Sequence, residues 1–178
     1  MNMKKKLSLY KKKKIVPVFL AADDKYVKFM MVTIKSIIFN SSPQNRYKIH
    51  VLHTDISLDN QALLKRMETP NCKIYFADVS EELEKIKKKI ALRDYYTATT
   101  YYRFFIAEMF PEYDKVVYVD SDTVIREDIA GLYEYSLGKN YIGAVKYKPD
   151  EKSKVNQIGV VNGLAYTDAG GDMLKVEV

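Results

Sequence analysis

The chain is short of the residues that staple small proteins or carry them through membranes. Cysteine occurs once, at Cys72, which rules out an internal disulfide and suits a reducing cytoplasm, with the thiol serving as a small core side chain. Histidine occurs at only two positions, His50 and His53. Three residues apart on a strand, they face opposite sides and cannot share a metal, so packing or surface roles are expected. No apolar stretch approaches the roughly 20 residues of a membrane span. The run Ile15 to Ala22 follows a lysine-rich start, as a signal peptide would, but it is short, contains Pro17 and stops at Asp23 and Asp24. It reads as a first strand. Internal repeats, heptad runs and low-complexity segments are also missing, apart from the lysine-rich start.

Acid is absent from residues 1–14, which hold Lys4, Lys5, Lys6, Lys11, Lys12, Lys13 and Lys14. Without these seven lysines, the remaining 22 basic residues face 23 acidic ones, so the formal charge of +6 becomes −1. The basicity therefore belongs to a leader. A nucleic-acid-binding role would have to rest on that leader alone, and the rest of the chain argues against it. The leader itself reads as a solvated, disordered segment, or as a peripheral contact with anionic membrane lipid. With 178 residues at 47% hydrophobic content, the whole chain is long enough for one domain with a sizeable core.

What is present alternates between strand and helix patterns. Ile15 to Ala22 is the first strand, and Val27, Met30, Met31, Ile34, Ile37 and Ile38 then recur at helical steps. Asn40 to Pro43 stops that helix. Asp23 and Asp24 precede it, where its dipole would favour them. Tyr47 to Thr54 is a second strand, Ser57 a plausible cap for a helix through Leu58, Leu63, Leu64 and Met67, and Lys73 to Ala77 a third strand. Ser80 would cap a helix through Leu83, Ile86 and Ile90. Thr99 to Met109 is a further, aromatic-rich helix whose lone cation, Arg103, needs an anionic partner if buried. A carboxylate or a bound phosphate would serve. A short helix over Asp128 to Leu137 and a strand over Tyr141 to Val145 follow. This order gives an α/β fold with a mostly parallel sheet.

The chemistry concentrates at KVVYVDSDT, Lys115 to Thr123. Val116 to Val119 is the pattern of a strand buried on both faces, and Asp120 and Asp122 follow it two residues apart, so their carboxylates project to one side. Beyond the carboxyl end of a parallel strand is where ligands bind. Two hard oxygen donors there suit Mg²⁺ or Mn²⁺ and, through it, a phosphate. Asp23 and Asp24 would leave the sheet at the same edge. Three readings compete for the motif. In a haloacid-dehalogenase-like phosphatase, Asp120 would be the nucleophile and Asp122 the acid/base, but three strands precede the motif here and Asp168 and Asp172 make a poor second acidic pair. A non-catalytic nucleotide-binding or interaction domain is the second reading.

The third follows from a resemblance. The blocks VPVFLAADDKY, SLDNQALL, TTYYRF and FPEYDKVVYVDSDTVI, in this order, resemble glycosyltransferase family 8. That family comprises retaining sugar transferases, among them bacterial lipopolysaccharide galactosyl- and glucosyltransferases and glycogenin. The resemblance implies a Rossmann-like GT-A nucleotide-diphospho-sugar transferase fold, a UDP-hexose donor, and a saccharide or lipopolysaccharide acceptor. The single cysteine sets the expected location in the cytoplasm, with the lysine leader as the reason to expect contact at the inner face of the membrane. Ala21, Asp23 and Tyr26 match the family's uridine-binding segment, with Lys25 where asparagine is common. Arg103 matches an arginine that reaches the donor sugar. Asp120 and Asp122, flanking Ser121, match the Asp-x-Asp pair that holds Mn²⁺ (or Mg²⁺) against the diphosphate. Tyr166 to Gly170 stands at the family's Asn-Ala-Gly block and adds Asp168 and Ala169 to the donor contacts. The resemblance fades after Gly170. The family's later Asp-Gln pair, metal-binding histidine and acceptor region would lie beyond Val178, so the expected organisation is a leader, 1–14, and an incomplete nucleotide-sugar-binding domain, 15–178.

Overall fold

The computed structural model describes residues 13–87 and 98–143. Its frame is a four-stranded, wholly parallel sheet of β1 (Ile15–Ala21), β2 (Arg46–His53), β3 (Cys72–Asp78) and β4 (Val117–Tyr118), in the order β3-β2-β1-β4. β1 is central. Its Val18 pairs with Ile49 on one side and Val117 on the other. Pairing with β4 starts only at Val18, so Pro17, with no N–H to donate, precedes the segment flanked on both edges. β4 is shorter than its apolar run suggests, although Val119 N–H still donates to Phe19 O at 2.9 Å.

The central strand β1 is apolar throughout because both of its faces are covered. Val16, Val18 and Leu20 of β1 face one cluster with Ile49, Val51, Ile74, Val117 and Val119, whereas Phe19 and Ala21 face a second with Leu52, Val116 and Tyr118. This is the strand period of two at work. The first cluster is closed by α1 (Val27–Asn40), which buries Val27, Met30, Ile34 and Ile37 at the predicted spacing. Each such side chain contributes roughly 1.5–3 kcal/mol on leaving water. The second cluster is closed by Tyr102, Phe105 and Ile106, which arrive on a 3-10 helix, Ala98–Phe105, continued by one α-helical turn, α4 (Ile106–Met109). Between these come α2 (Leu58–Lys65) and α3 (Ser80–Lys87), and α5 (Ala130–Glu134) follows β4.

Several expectations are sharpened or corrected. Ser57 caps α2 as expected, its hydroxyl accepting from Asn60 N–H. Ser80 lies inside α3, and the carboxylate of Asp78 accepts from its N–H at 2.9 Å. Thr99 to Met109 is not one α-helix. The crowded TTYYRFF run takes the tighter 3-10 form, and its period of three places Tyr102 and Phe105 together in the core. The last helix starts at Ala130 because Asp128 stands outside it, accepting from both Ala130 N–H and the Tyr47 hydroxyl. The chain turns after it at Gly138, where φ is +60°, a value that glycine adopts without strain. Tyr141–Gly143 form no strand, and the rest of that predicted element lies outside the described residues. So does the leader, apart from Lys13 and Lys14. Cys72 is fully buried, as expected of a core thiol.

Candidate functional site

Because β1 and β4 are parallel neighbours, the segments leaving their carboxyl ends emerge side by side. There they enclose a cleft of about 340 Å³. Ala21, Ala22, Asp23 and Tyr26 line it from the β1 side, and Tyr118, Asp120, Ser121 and Asp122 from the β4 side. The third wall is the 3-10 helix, through Thr99, Thr100 and Arg103. Its three-residue period puts Thr100 and Arg103 on the edge next to the buried Tyr102 and Phe105, so one short helix serves both core and cleft.

The acidic doublet after β1 is divided between two tasks. The Asp23 carboxylate accepts from Tyr26 N–H at 2.8 Å, which fixes the turn and sets Tyr26 at the rim, its ring 4.9 Å from that of Phe29. Asp24 turns the other way and accepts from Ser57 N–H at 2.8 Å and Asn60 Nδ2 at 2.7 Å. Those bonds, the Ser57 amide foremost, hold its carboxyl below the usual carboxylate range. Only Asp23 of the two lines the cleft.

Arg103 finds a carboxylate as its partner. Its Nη2 lies 3.3 Å from Asp120 Oδ1, its guanidinium carbon is 4.4 Å from the centre of the Tyr118 ring, and its Nε donates to Thr100 O at 3.0 Å. The side chains of Arg103 and Asp120 are 15% and 24% exposed, so water screens the pair only in part. Burial pushes the Tyr118 phenol well above its ordinary value, with Arg103 pulling the other way, so this ring is a neutral platform for the cation. Ser121 is buried and donates its hydroxyl to Ala21 O at 2.7 Å, tying the two cleft-forming loops together.

Asp120 and Asp122 therefore face one cleft beside Arg103 and Asp23. Among the described residues no cluster of three or more His, Cys, Asp or Glu side chains is assembled. Two carboxylates suit a hard divalent cation whose remaining ligands are phosphate and water oxygens, the usual arrangement for Mg²⁺ or Mn²⁺ on a nucleotide. The histidines take no part. His50 stacks on Phe19 at 4.6 Å and meets the Tyr113 hydroxyl at 3.0 Å, while His53 Nδ1 accepts from Ile56 N–H. Asp168 and Ala169 lie outside the described residues. The sequence reading passed over Thr33 of α1, whose hydroxyl lies within 2.9 Å of Ser121 O and 2.7 Å of Thr123 O. The available signal was a polar residue on the helix's core-facing side, between Met30 and Ile34.

Comparison with known proteins places this chain among glycosyltransferases. The model of the family described as Glycosyl transferase family 8 matches residues 17–165. The glycosyltransferase GlyF of Streptococcus pneumoniae is 33% identical over 129 residues, covering 72% of this chain and 31% of GlyF. Among solved structures, the bifunctional glycosyltransferase WbbM superposes with a TM-score of 0.65 at 34% identity, over 75% of this chain and 23% of WbbM. The galactosyltransferase LgtC, solved with donor and acceptor sugar analogues, gives a TM-score of 0.64 at 24% identity, over 85% of this chain and 58% of LgtC, a likeness of fold. The chain thus spans less than two thirds of each of these relatives.

Proposed function

The chain belongs to glycosyl transferase family 8 and has the GT-A fold of its structural neighbours, and from that premise we propose that it is the donor-binding part of a retaining UDP-hexose transferase. The observation that carries the proposal is the convergence of Asp23, Tyr26, Arg103, Asp120 and Asp122 on one cleft at the carboxyl ends of β1 and β4. The family membership displaces the phosphatase reading of the same aspartates.

In this reading Asp120 and Asp122 hold Mn²⁺ (or Mg²⁺) against the diphosphate of the donor. Such an ion would supply Lewis-acid stabilisation of the negative charge on a leaving diphosphate. The chain's own residues bind and orient. Ala21, Asp23 and the rim ring of Tyr26 form the wall for uridine, and Ser121 keeps that wall joined to the acidic loop. Arg103, steadied by Tyr118 and Thr100, offers its remaining N–H groups toward the donor sugar. Asp168 and Ala169 are proposed as further donor contacts, from their place at the family's Asn-Ala-Gly block. The acceptor is a saccharide or lipopolysaccharide, and the proposed place of work is the cytoplasmic face of the membrane, with the lysine leader as a peripheral contact. No helix among the described residues is long and apolar enough to cross a bilayer.

Calorimetry with UDP in the presence and absence of Mn²⁺ tests the assignment. Asp122→Ala is expected to weaken Mn²⁺-dependent UDP binding by about tenfold or more, the usual cost of disturbing a metal site, and to leave the metal-free titration as in the parent. Equal heats for parent and variant in both arms would remove the acidic pair from the site.

A further inference from the structure

The acidic loop is held by the helix behind it. From Ser121 to Arg126 the chain alternates, with Ser121, Thr123 and Ile125 buried and Asp122, Val124 and Arg126 exposed. The buried positions all engage α1 or β1. The Thr33 hydroxyl, with no exposed surface, lies 2.9 Å from Ser121 O and 2.7 Å from Thr123 O, so its single proton is shared between the two carbonyls that bracket Asp122. One turn on, Ser36 Oγ accepts from Ile125 N–H at 2.8 Å and donates to Thr33 O at 2.7 Å. Asn40 Nδ2 then donates to Ile125 O at 2.8 Å. Thr33, Ser36 and Asn40 stand at positions i, i+3 and i+7 of α1, one stripe of the helix surface. On the opposite side, Ser121 Oγ is fixed to Ala21 O at 2.7 Å, and Thr123 Oγ1 closes back on Asp120 O at 2.9 Å.

We propose that Thr33, seconded by Ser36, is a positioning residue for the divalent-cation site, setting the direction of the Asp122 carboxylate through the loop backbone. The inference rests on the reading of Asp120 and Asp122 as the metal pair. With two protein carboxylates in the site, affinity depends on both being aimed before the ion arrives, because a loose loop must be ordered on binding. A helix in the core is rigid, and its polar stripe transfers that rigidity to an otherwise irregular segment. Here α1 places one buried hydroxyl between the carbonyls of the two residues on either side of the exposed aspartate.

The test measures Mn²⁺ binding directly, from the paramagnetic resonance signal of the free ion, on the full chain with and without UDP. Thermal unfolding is recorded alongside. Thr33→Val, which keeps the shape and removes the proton donor, is expected to weaken Mn²⁺ binding by about tenfold, as loss of an outer support of a metal ligand does, and Thr33→Ser is expected to restore it. Asp122→Ala is the reference. Parent-like Mn²⁺ affinity in Thr33→Val, with Asp122→Ala impaired, would overturn the positioning role whatever happens to the melting temperature. Parent-like affinity in Asp122→Ala would instead overturn the metal assignment on which the role rests. Should Thr33→Val fail to fold, Ser36→Ala carries the same expectation, and undiminished Mn²⁺ binding by that variant refutes the inference.

Discussion

The pair Arg103–Asp120 offers a sharp test of the site's electrostatics, by a double-mutant cycle of Arg103→Met and Asp120→Asn. Methionine keeps much of the side-chain volume over Tyr118 and removes the charge. At the observed 3.3 Å, unit charges attract by about 5 kcal/mol for an effective dielectric constant near 20. Most of this is offset by the cost of taking the two groups out of water, which their 15% and 24% exposure shows to be substantial. A charge-assisted hydrogen bond in this setting leaves a net coupling of about 1.5 kcal/mol. The contact of Arg103 with the Tyr118 ring and its bond to Thr100 O add to the cost of Arg103→Met alone, by about 1 kcal/mol each, but they cancel in the cycle. Urea unfolding of the four proteins, with equal denaturant slopes, gives the number. If Asp120→Asn costs the same in the Arg103→Met background as in the parent, within about 0.3 kcal/mol, the two side chains do not act on one another and the description of the cleft is wrong.

Acid should loosen the fold through His50. Burial, with Lys48 nearby, pushes its imidazole from 6.5 down to about 4. Between those values the unfolded chain takes up a proton that the folded chain refuses, so the stability present above pH 6.5 drains away as the pH falls toward 4, by about 3 kcal/mol in all. His53, also lowered by burial, acts in the same direction. Chemical denaturation at pH 7 and pH 4.5 measures the loss, and His50→Phe should flatten the profile; an unchanged profile would place the ring in water. Tyr47→Phe should cost about 2 kcal/mol, read as a lower melting temperature. The lost hydroxyl donates to Asp128 at 2.6 Å and accepts from Ser42 N–H at 3.0 Å, joining the end of α1 to the start of α5. A melting temperature equal to the parent's would show that this junction carries no load.

Much of the fold is written in local pattern. The β-branched run of β1, the helical spacing of Val27, Met30, Ile34 and Ile37, and the cap at Ser57 depend on neighbours within a turn or a strand, and each appears where it was expected. The acidic pair is legible for a similar reason, since an apolar strand that ends abruptly in Asp-x-Asp needs no distant information to attract notice. The sequence by itself also fixed which family's blocks are present and in what order. Tertiary structure decided the rest. That Asp23 enters the cleft while Asp24 leaves for α2, that Arg103 chooses Asp120, and that Thr33 grips the acidic loop across 88 and 90 residues of chain are long-range facts. They follow from strand order. With β1 between β2 and β4, the loop after β1 touches both neighbours at once, and a hydrogen bond, which acts over about 3 Å, can be assigned only after the sheet has brought its partners together.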